Sequence, residues 1–549
     1  MLLECRAHGS EGPGWEGAAV NNGGDGSVEP GGWWESRWLL IALILGSAIP
    51  LLYPPVPPLV DLLGHMGRYR VELDLDTSPF LGRYYDFRWS PIGNLGVDLL
   101  VLPLGHWLGL EPAVKLIVLA IPPLTVAGFL WVAREVHHRL PPTALFAIPF
   151  AYSHPFMFGF ANFALSMALA FLAFGLWLRL ARLERFGLRA MLFVPISVLV
   201  YFTHTYGWGT LGLLCFSAEA VRQHDRGIGW IAAGLRAALH ASVMALPIVF
   251  AIVWRNQGGV TYGWFNLSLK LNWLISVLRD RWRWFDLAAL AIVLVLIVEA
   301  RRRKDLTFSR NLAFSSLVLV AAFLIIPWTV FSSAYADMRL IPYALAVALL
   351  AIRMRDGMDR RAAGWFAAAG LAFVVIRLAG TTASLALASN DQQAKLAALD
   401  SVPMGSRVVS LVGVPCGGWP LMRDTHLGAM TIVRREGFSN DEWSTGGQNL
   451  LSLRYRAAGP FGADPSQIVR PVACSIDGVW SIEDALRLLP RDRFDYLWLV
   501  EAPPFDPRLL NGATLVRRTR GSALYRLTPA SAAPSPGSTA VPAAAAAGR

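Results

Sequence analysis

Residues 284–304 read WFDLAALAIVLVLIVEARRRK, an apolar run that ends in four consecutive basic residues, Arg301 to Lys304. Since about 20 apolar residues cross a bilayer as a helix, and cations hold the end of a span on the cytoplasmic side, this run reads as a membrane span with its orientation marked. Working outward, apolar blocks recur at 38–53, 113–133, 141–158, 163–180, 190–204, 207–221, 230–253, 311–331, 340–353 and 362–387, giving eleven candidate spans with 284–300. The composition agrees. The 549 residues are 54% hydrophobic and 16% charged, against about 25% charged in soluble proteins, and the mean hydropathy is +0.44.

Loops near 134–140, 179–189, 222–229, 301–310 and 353–361 all carry Lys or Arg, whereas the short loops near 154–162, 205–206 and 332–339 carry Arg339 alone. That asymmetry places the amino terminus in the cytoplasm. Segment 93–110 contains Asp98, Pro103 and His106 and reads as an interfacial or re-entrant helix rather than a crossing. The net charge of +11 comes mostly from arginines beside apolar blocks. No polar tract interleaves basic and aromatic residues, so membrane lipid is the expected partner and nucleic acid is not.

The expected organisation is an α-helical polytopic membrane protein with a carboxyl-terminal soluble α/β domain. Residues 1–36, rich in glycine, form a disordered cytoplasmic lead, and the first span acts as an uncleaved anchor. Residues 37–388 form the membrane domain, with outer loops 54–112 and 254–283. The latter carries Arg255, Lys270, Arg279, Arg281 and Arg283. These cations suit lipid headgroups or, more sharply, the phosphate of a lipid-linked substrate. Residues 389–528 alternate short β-rich runs (407–412, 496–500, 515–518, 523–527) with helical patterns (392–400, 482–489), and an odd number of spans puts them outside. Residues 529–549 are a low-complexity tail. In that outer domain Cys416 and Cys474 either pair in an oxidising compartment or remain separate core thiols. No Cys/His cluster has zinc-ligand spacing, and no metal site is read.

Polar groups near spans are costly and therefore informative. Asp61, His65 and Arg68 follow the first span. His154 and Asn162 bracket one outer turn, His204 and Tyr206 occupy another, and Asp337 and Arg339 open the tenth span. All fall on the outer face. Each also has a bland reading. Asp61 suits a helix N-cap or a pair with His65 or Arg68, the histidines suit satisfied interfacial positions, and Arg339 suits a local pair with Asp337. No phosphate loop, Gly-x-Ser-x-Gly elbow or His-Glu-x-x-His is present, which argues against nucleotide-driven transport, serine hydrolysis and the commonest metalloprotease pattern.

The layout resembles the GT-C integral-membrane glycosyltransferases, the superfamily that includes protein mannosyltransferases. The matching features are an outer loop with an early acid (Pro57-Pro58-Leu59-Val60-Asp61), a Pro-led apolar stretch ending in Leu-Gly (Ser90-Pro91-Ile92 to Leu110), and a span closed by Arg134-Glu135-Val136-His137-His138-Arg139. The resemblance implies a GT-C-like fold in a bacterial inner membrane, with the carboxyl-terminal domain periplasmic. It implies transfer of a sugar from a polyprenyl-phosphate donor to an acceptor, with Asp61 as base and His65 assisting it. Arg339 is the first choice for the phosphate, Arg68 and Arg88 are alternatives, and His154, Asn162, His204, Tyr206 and Asp337 complete the substrate site. Participation of a divalent cation and the identity of protein partners are left open. Many members carry a second acid between the third and fourth spans, where this chain has His154-Pro155 to Asn162. That departure motivates the alternative of a non-catalytic scaffold in envelope-polysaccharide assembly; a transporter is the third reading.

Overall fold

The structure is a computed structural model that describes residues 32–253, 259–355, 359–444, 450–474 and 478–527. Most of the glycine-rich lead, Arg255 and the tail lie outside the described residues. Among the described residues four helices are long and apolar enough to cross a membrane, namely Leu110–His137, Ala161–Arg182, Phe186–Thr203 and Arg360–Ser401. Trp230–Met244 and Leu246–Val253 make a fifth if their 63° bend is one broken span. The helices Thr205–Asp225, Arg283–Arg302, Arg310–Ile325 and Ile341–Ala351 pack with them. Small residues let the bundle close. A Cβ on Gly128 would lie 2.8 Å from the Cβ of Phe171, so the Leu110–His137 and Ala161–Arg182 helices meet nearly backbone to backbone there.

The apolar block 141–158 is not an α-helix. It runs as a 3-10 segment, Pro142–Tyr152, followed by the single turn His154–Met157. Pro141, Pro142, Pro149 and Pro155 supply no N–H donors and interrupt the α-helical ladder. The 3-10 segment is buried throughout, between Leu110–His137, Ile341–Ala351 and Arg360–Leu396. Segment 93–110 contains the helix Gly96–Leu108, with Trp107 81% exposed on one side and Val97 and Val101 buried on the other.

The carboxyl-terminal region is built on a sheet of six strands: β1 (Arg407–Gly413), β2 (Phe438–Ser439), β3 (Ile468–Val469), β4 (Tyr496–Val500), β5 (Ala513–Thr519) and β6 (Ser522–Leu527). The order is β2-β1-β4-β6-β5, with β3 also pairing β1. β1 is parallel to β2, β3 and β4, while β6 is antiparallel to β4 and β5. Every residue of β4 is buried, as expected of a strand covered on both faces. Cys416 and Cys474 form a disulfide.

No break separates the helices from this sheet at residue 389. The Arg360–Leu396 helix continues through that point, because nothing between the apolar block and Ala397 stops a helix. The outer loop also joins the sheet region. Tyr85–Phe87 pairs antiparallel with Leu451–Leu453, and Val71, Leu81 and Tyr85 share a buried cluster with Val409, Phe438 and Leu497. A buried ion pair, Arg423 to Asp280 at 2.6 Å, and a hydrogen bond from Trp419 Nε1 to Asp286 at 2.7 Å fasten the sheet region to the helices, where Asp286 also pairs with Arg377 at 2.9 Å.

Removing one partner of such a pair leaves a buried charge uncompensated, at a cost of about 3–5 kcal/mol. Arg423→Leu is therefore expected to lower the thermal midpoint sharply, and the double variant Arg423→Leu/Asp280→Leu to recover much of the loss in the same melting assay.

Candidate active site

Asp61 stands at the N-cap position of the Leu62–Asp74 helix, yet its side chain makes no capping bond. Its backbone is fixed instead. Asp61 N–H donates to the Phe158 carbonyl at 2.9 Å, and Gly159, with φ of +98°, lies so close that a Cβ there would sit 2.6 Å from the Asp61 nitrogen. Only glycine accepts both that φ and that contact. The carboxylate, 14% exposed, faces a cavity of about 370 Å³ that is also lined by His65, His204, Tyr335, Arg339, Trp443 and Asp464.

The sheet region completes this site. His426 Nε2 lies 3.7 Å from Asp61 Oδ1, and His426 Nδ1 donates to Asp441 Oδ1 at 2.6 Å. Asp441 Oδ2 in turn accepts the Ala429 N–H at 2.8 Å. An imidazole thus stands between two carboxylates. Burial pushes the Asp61 carboxyl up to about 7, against the opposing pull of His426. Burial alone would lower His426, but Asp441, Asp61 and Asp464 outweigh it and hold the imidazole near 10, so it is charged at neutral pH. Burial and the neighbouring Arg68 keep His65 well below the ordinary histidine value, so it is neutral.

Two glycines let the Asp441–Trp443 loop reach this position. A Cβ on Gly64 would come within 2.7 Å of the Trp443 ring, and one on Gly67 within 2.0 Å of Glu442 Oε1. They lie three residues apart on one helix face, which is the face on which the loop seats. Trp443 then packs between His65 and His426, with ring centroids 4.9 Å and 4.5 Å away.

Arg339 is 5% exposed. Asp337 does not neutralise it, because Asp337 pairs with Lys270 at 3.2 Å. The guanidinium lies over the rings of Phe160 (4.5 Å) and Tyr206 (5.0 Å), donates to Ser333 Oγ at 3.3 Å, and has no partner for its Nε among the described residues. The other buried arginines among the described residues are Arg68, Arg189, Arg377 and Arg423, and each holds a carboxylate. Arg339 alone in that set holds none. A buried guanidinium without an anion, facing a cavity, is arranged to receive one.

The remaining candidate residues divide clearly. Arg68 and Asn162 reach the cavity wall but are committed elsewhere, Arg68 to Asp98 at 2.8 Å and Asn162 to the Val97 N–H, the Asn94 carbonyl and Asp98. His204 lines the cavity and also caps the Thr205–Asp225 helix through the Tyr206 N–H. Tyr206 contributes its ring beneath Arg339. Three candidates lie elsewhere. Arg88 is a surface side chain, 85% exposed and paired with Asp86. His154 is packed against Phe158 and Trp273 and does not line the cavity. Asp337 is spent on Lys270.

The donor atoms of His426, Asp441 and Asp464 lie within 4.8 Å of one another, a spacing that a divalent cation can bridge. The direct His426–Asp441 hydrogen bond fills part of that space. A second acidic group, Asp391, Asp424 and Glu501, surrounds the ammonium of Lys395, which already serves as its cation.

No family model matches the sequence, and no curated protein matches it. Among solved structures the chain is similar to ArnT from Cupriavidus metallidurans in the apo state (TM-score 0.47, 12% identity, covering 90% of this chain and 98% of that one). It is similar to the same protein bound to undecaprenyl phosphate (TM-score 0.46, 12% identity, 89% and 97%). Likeness at that level assigns no residue a role, and the functional reading rests on the cavity itself.

Asp61 carries a stability consequence with a definite sign. Its folded pKa of about 7 lies above the value of about 4 for a free aspartate, so ionisation opposes folding. The penalty is absent below about pH 4, grows between 4 and 7 and stays constant above, at about 1.4 kcal/mol for each pH unit between the two values. Asp61→Asn should therefore melt above the parent protein at pH 8, with the gap closing toward pH 4. A variant less stable at pH 8 would contradict this.

Proposed function

We propose that the protein is a membrane glycosyltransferase that moves a sugar from a polyprenyl-phosphate donor to an acceptor hydroxyl. The observation that carries this reading is the placement of a largely buried carboxylate, Asp61, and a buried guanidinium that holds no carboxylate among the described residues, Arg339, on one cavity. Asp61 takes the proton of the acceptor hydroxyl. The acceptor oxygen attacks the anomeric carbon, the bond from that carbon to phosphate oxygen breaks, and its electron pair leaves on the phosphate. Arg339 holds that phosphate, with Ser333 beside it. The His426–Asp441 pair, hydrogen-bonded to itself and within reach of Asp61, fixes the carboxylate's surroundings and steadies its negative form. Positioned proton acceptance supplies about 10²–10⁴-fold, and a preorganised cation at the leaving anion about 10²–10³-fold.

The second acid that the turn between 154 and 162 lacks has counterparts from the sheet region in Asp441 and Asp464, which favours an active enzyme over a scaffold. The same reading extends to topology, with about eleven spans in a bacterial inner membrane, the amino terminus cytoplasmic and the sheet region periplasmic. The basic residues of the loops assigned to the cytoplasm and the Cys416–Cys474 disulfide support it.

The purified protein in lipid nanodiscs, given radiolabelled polyprenyl-phosphate sugar and an acceptor extract, should release polyprenyl phosphate. Asp61→Asn should cut the rate by about 10²-fold or more, and Arg339→Lys should weaken donor use, because an ammonium does not reproduce a two-pronged guanidinium contact. The parent rate should fall about tenfold per pH unit below about 7, as Asp61 becomes protonated, and level off above it. Unchanged release by Asp61→Asn would remove the proposed base.

A further inference from the structure

The sheet region carries a second cavity, of about 650 Å³, at the carboxyl ends of the parallel strands β1, β3 and β4. Crevices at the carboxyl ends of parallel strands are where open α/β sheets bind ligands. The walls are the loop after β1, residues 412–425, the turn after β3 at Arg470 and Pro471, and the turn after β4 from Glu501 to Pro504. The Cys416–Cys474 disulfide ties the first wall to the second and so fixes the width of the opening. Glu501, at the start of the third wall, has φ of +45°, a conformation that costs a non-glycine residue about 1–3 kcal/mol and that tends to cluster at ligand clamps.

Charge in the crevice is segregated rather than paired off, with acids gathered on Lys395 and two guanidiniums holding no carboxylate. Asp424 and Glu501 face Lys395, at 2.5 Å and 2.8 Å. Arg423 is spent on Asp280. Two guanidiniums remain. Arg279 donates only to the backbone carbonyls of Trp419 (2.6 Å) and Gly418 (3.1 Å), and Arg470 has no side-chain partner among the described residues, with its buried Nε unbonded. Both line the cavity together with Pro415, Pro420, Pro471, Pro503 and Pro504. Apolar proline rings suit the C–H groups of a sugar, carboxylate oxygens left over by Lys395 accept hydroxyl protons, and two guanidiniums on one cavity suit an anion.

We propose that this crevice binds an anionic saccharide, with the carboxylate or phosphate of the sugar held by Arg279 and Arg470 and its hydroxyls by Asp424 and Glu501. Binding here is independent of sugar transfer in the cavity at Asp61, although the two share a wall, since Asp424 lines one and His426 touches the other.

The test is calorimetric titration of the full-length protein in nanodiscs, at constant ionic strength, with digalacturonate, glucose 1-phosphate and maltose. At least one of the two anionic sugars should bind, maltose should bind at least tenfold more weakly, and Arg470→Gln should weaken the anionic ligand by about tenfold or more while Arg470→Lys retains part of it. The anionic sugar that binds identifies the group as carboxylate or phosphate. Binding of neither, equal binding of maltose, or an Arg470→Gln variant with unaltered melting and unaltered affinity would overturn the assignment.

Discussion

A carboxylate removed from water must be matched, and Asp61 is matched by an imidazole from the far end of the chain. The 3.7 Å approach of His426, itself held by Asp441, makes a buried acid at residue 61 tolerable while leaving its pKa near neutrality. The rest of the arrangement serves that contact. Gly159 seats the Asp61 backbone, Gly64 and Gly67 admit the Asp441–Trp443 loop, and the Arg423–Asp280 ion pair with the Trp419–Asp286 hydrogen bond holds the sheet region down on the helices. Neither the helices nor the sheet region holds the site alone.

The distribution of arginines follows from the same cost. Four buried guanidiniums meet carboxylates and act as fasteners, Arg189 with Glu219 among them. Pairs of that kind fix geometry more than they stabilise, because desolvation offsets most of the attraction. Arg339 is held by aromatic faces instead, which desolvate it and position it without neutralising it. That distinction separates a structural cation from one kept available for a ligand.

Much of this was legible in the sequence. The strand runs at 407–412, 496–500, 515–518 and 523–527 appear as β1, β4, β5 and β6, because short β-branched and aromatic runs bounded by turn residues leave few alternatives. Asp61, His65, His204 and Arg339 do line one cavity, a convergence that polar groups beside spans foreshadow. His154 did not join them, since hydropathy cannot distinguish a histidine facing a cavity from one packed among aromatic rings. Block 141–158 keeps its apolar, buried character but not an α-helical backbone, because its prolines interrupt the hydrogen-bond ladder. His426, Asp441, Asp464 and Trp443 were missed for a stronger reason. They lie in an ordinary polar region, and only the docking of the sheet region gives them meaning. The one local signal was the glycine pair in Leu62-Leu63-Gly64-His65-Met66-Gly67, a smooth helix face with something to receive.

Asp61 and His426 act as a coupled pair across two parts of the chain. A double-mutant cycle of Asp61→Asn and His426→Gln, read as unfolding free energy at pH 8, measures that coupling directly. Contacting groups should give an interaction term of about 1 kcal/mol or more, whereas additivity within about 0.3–0.5 kcal/mol would mean that the two side chains do not sense each other and that the site is not assembled as described.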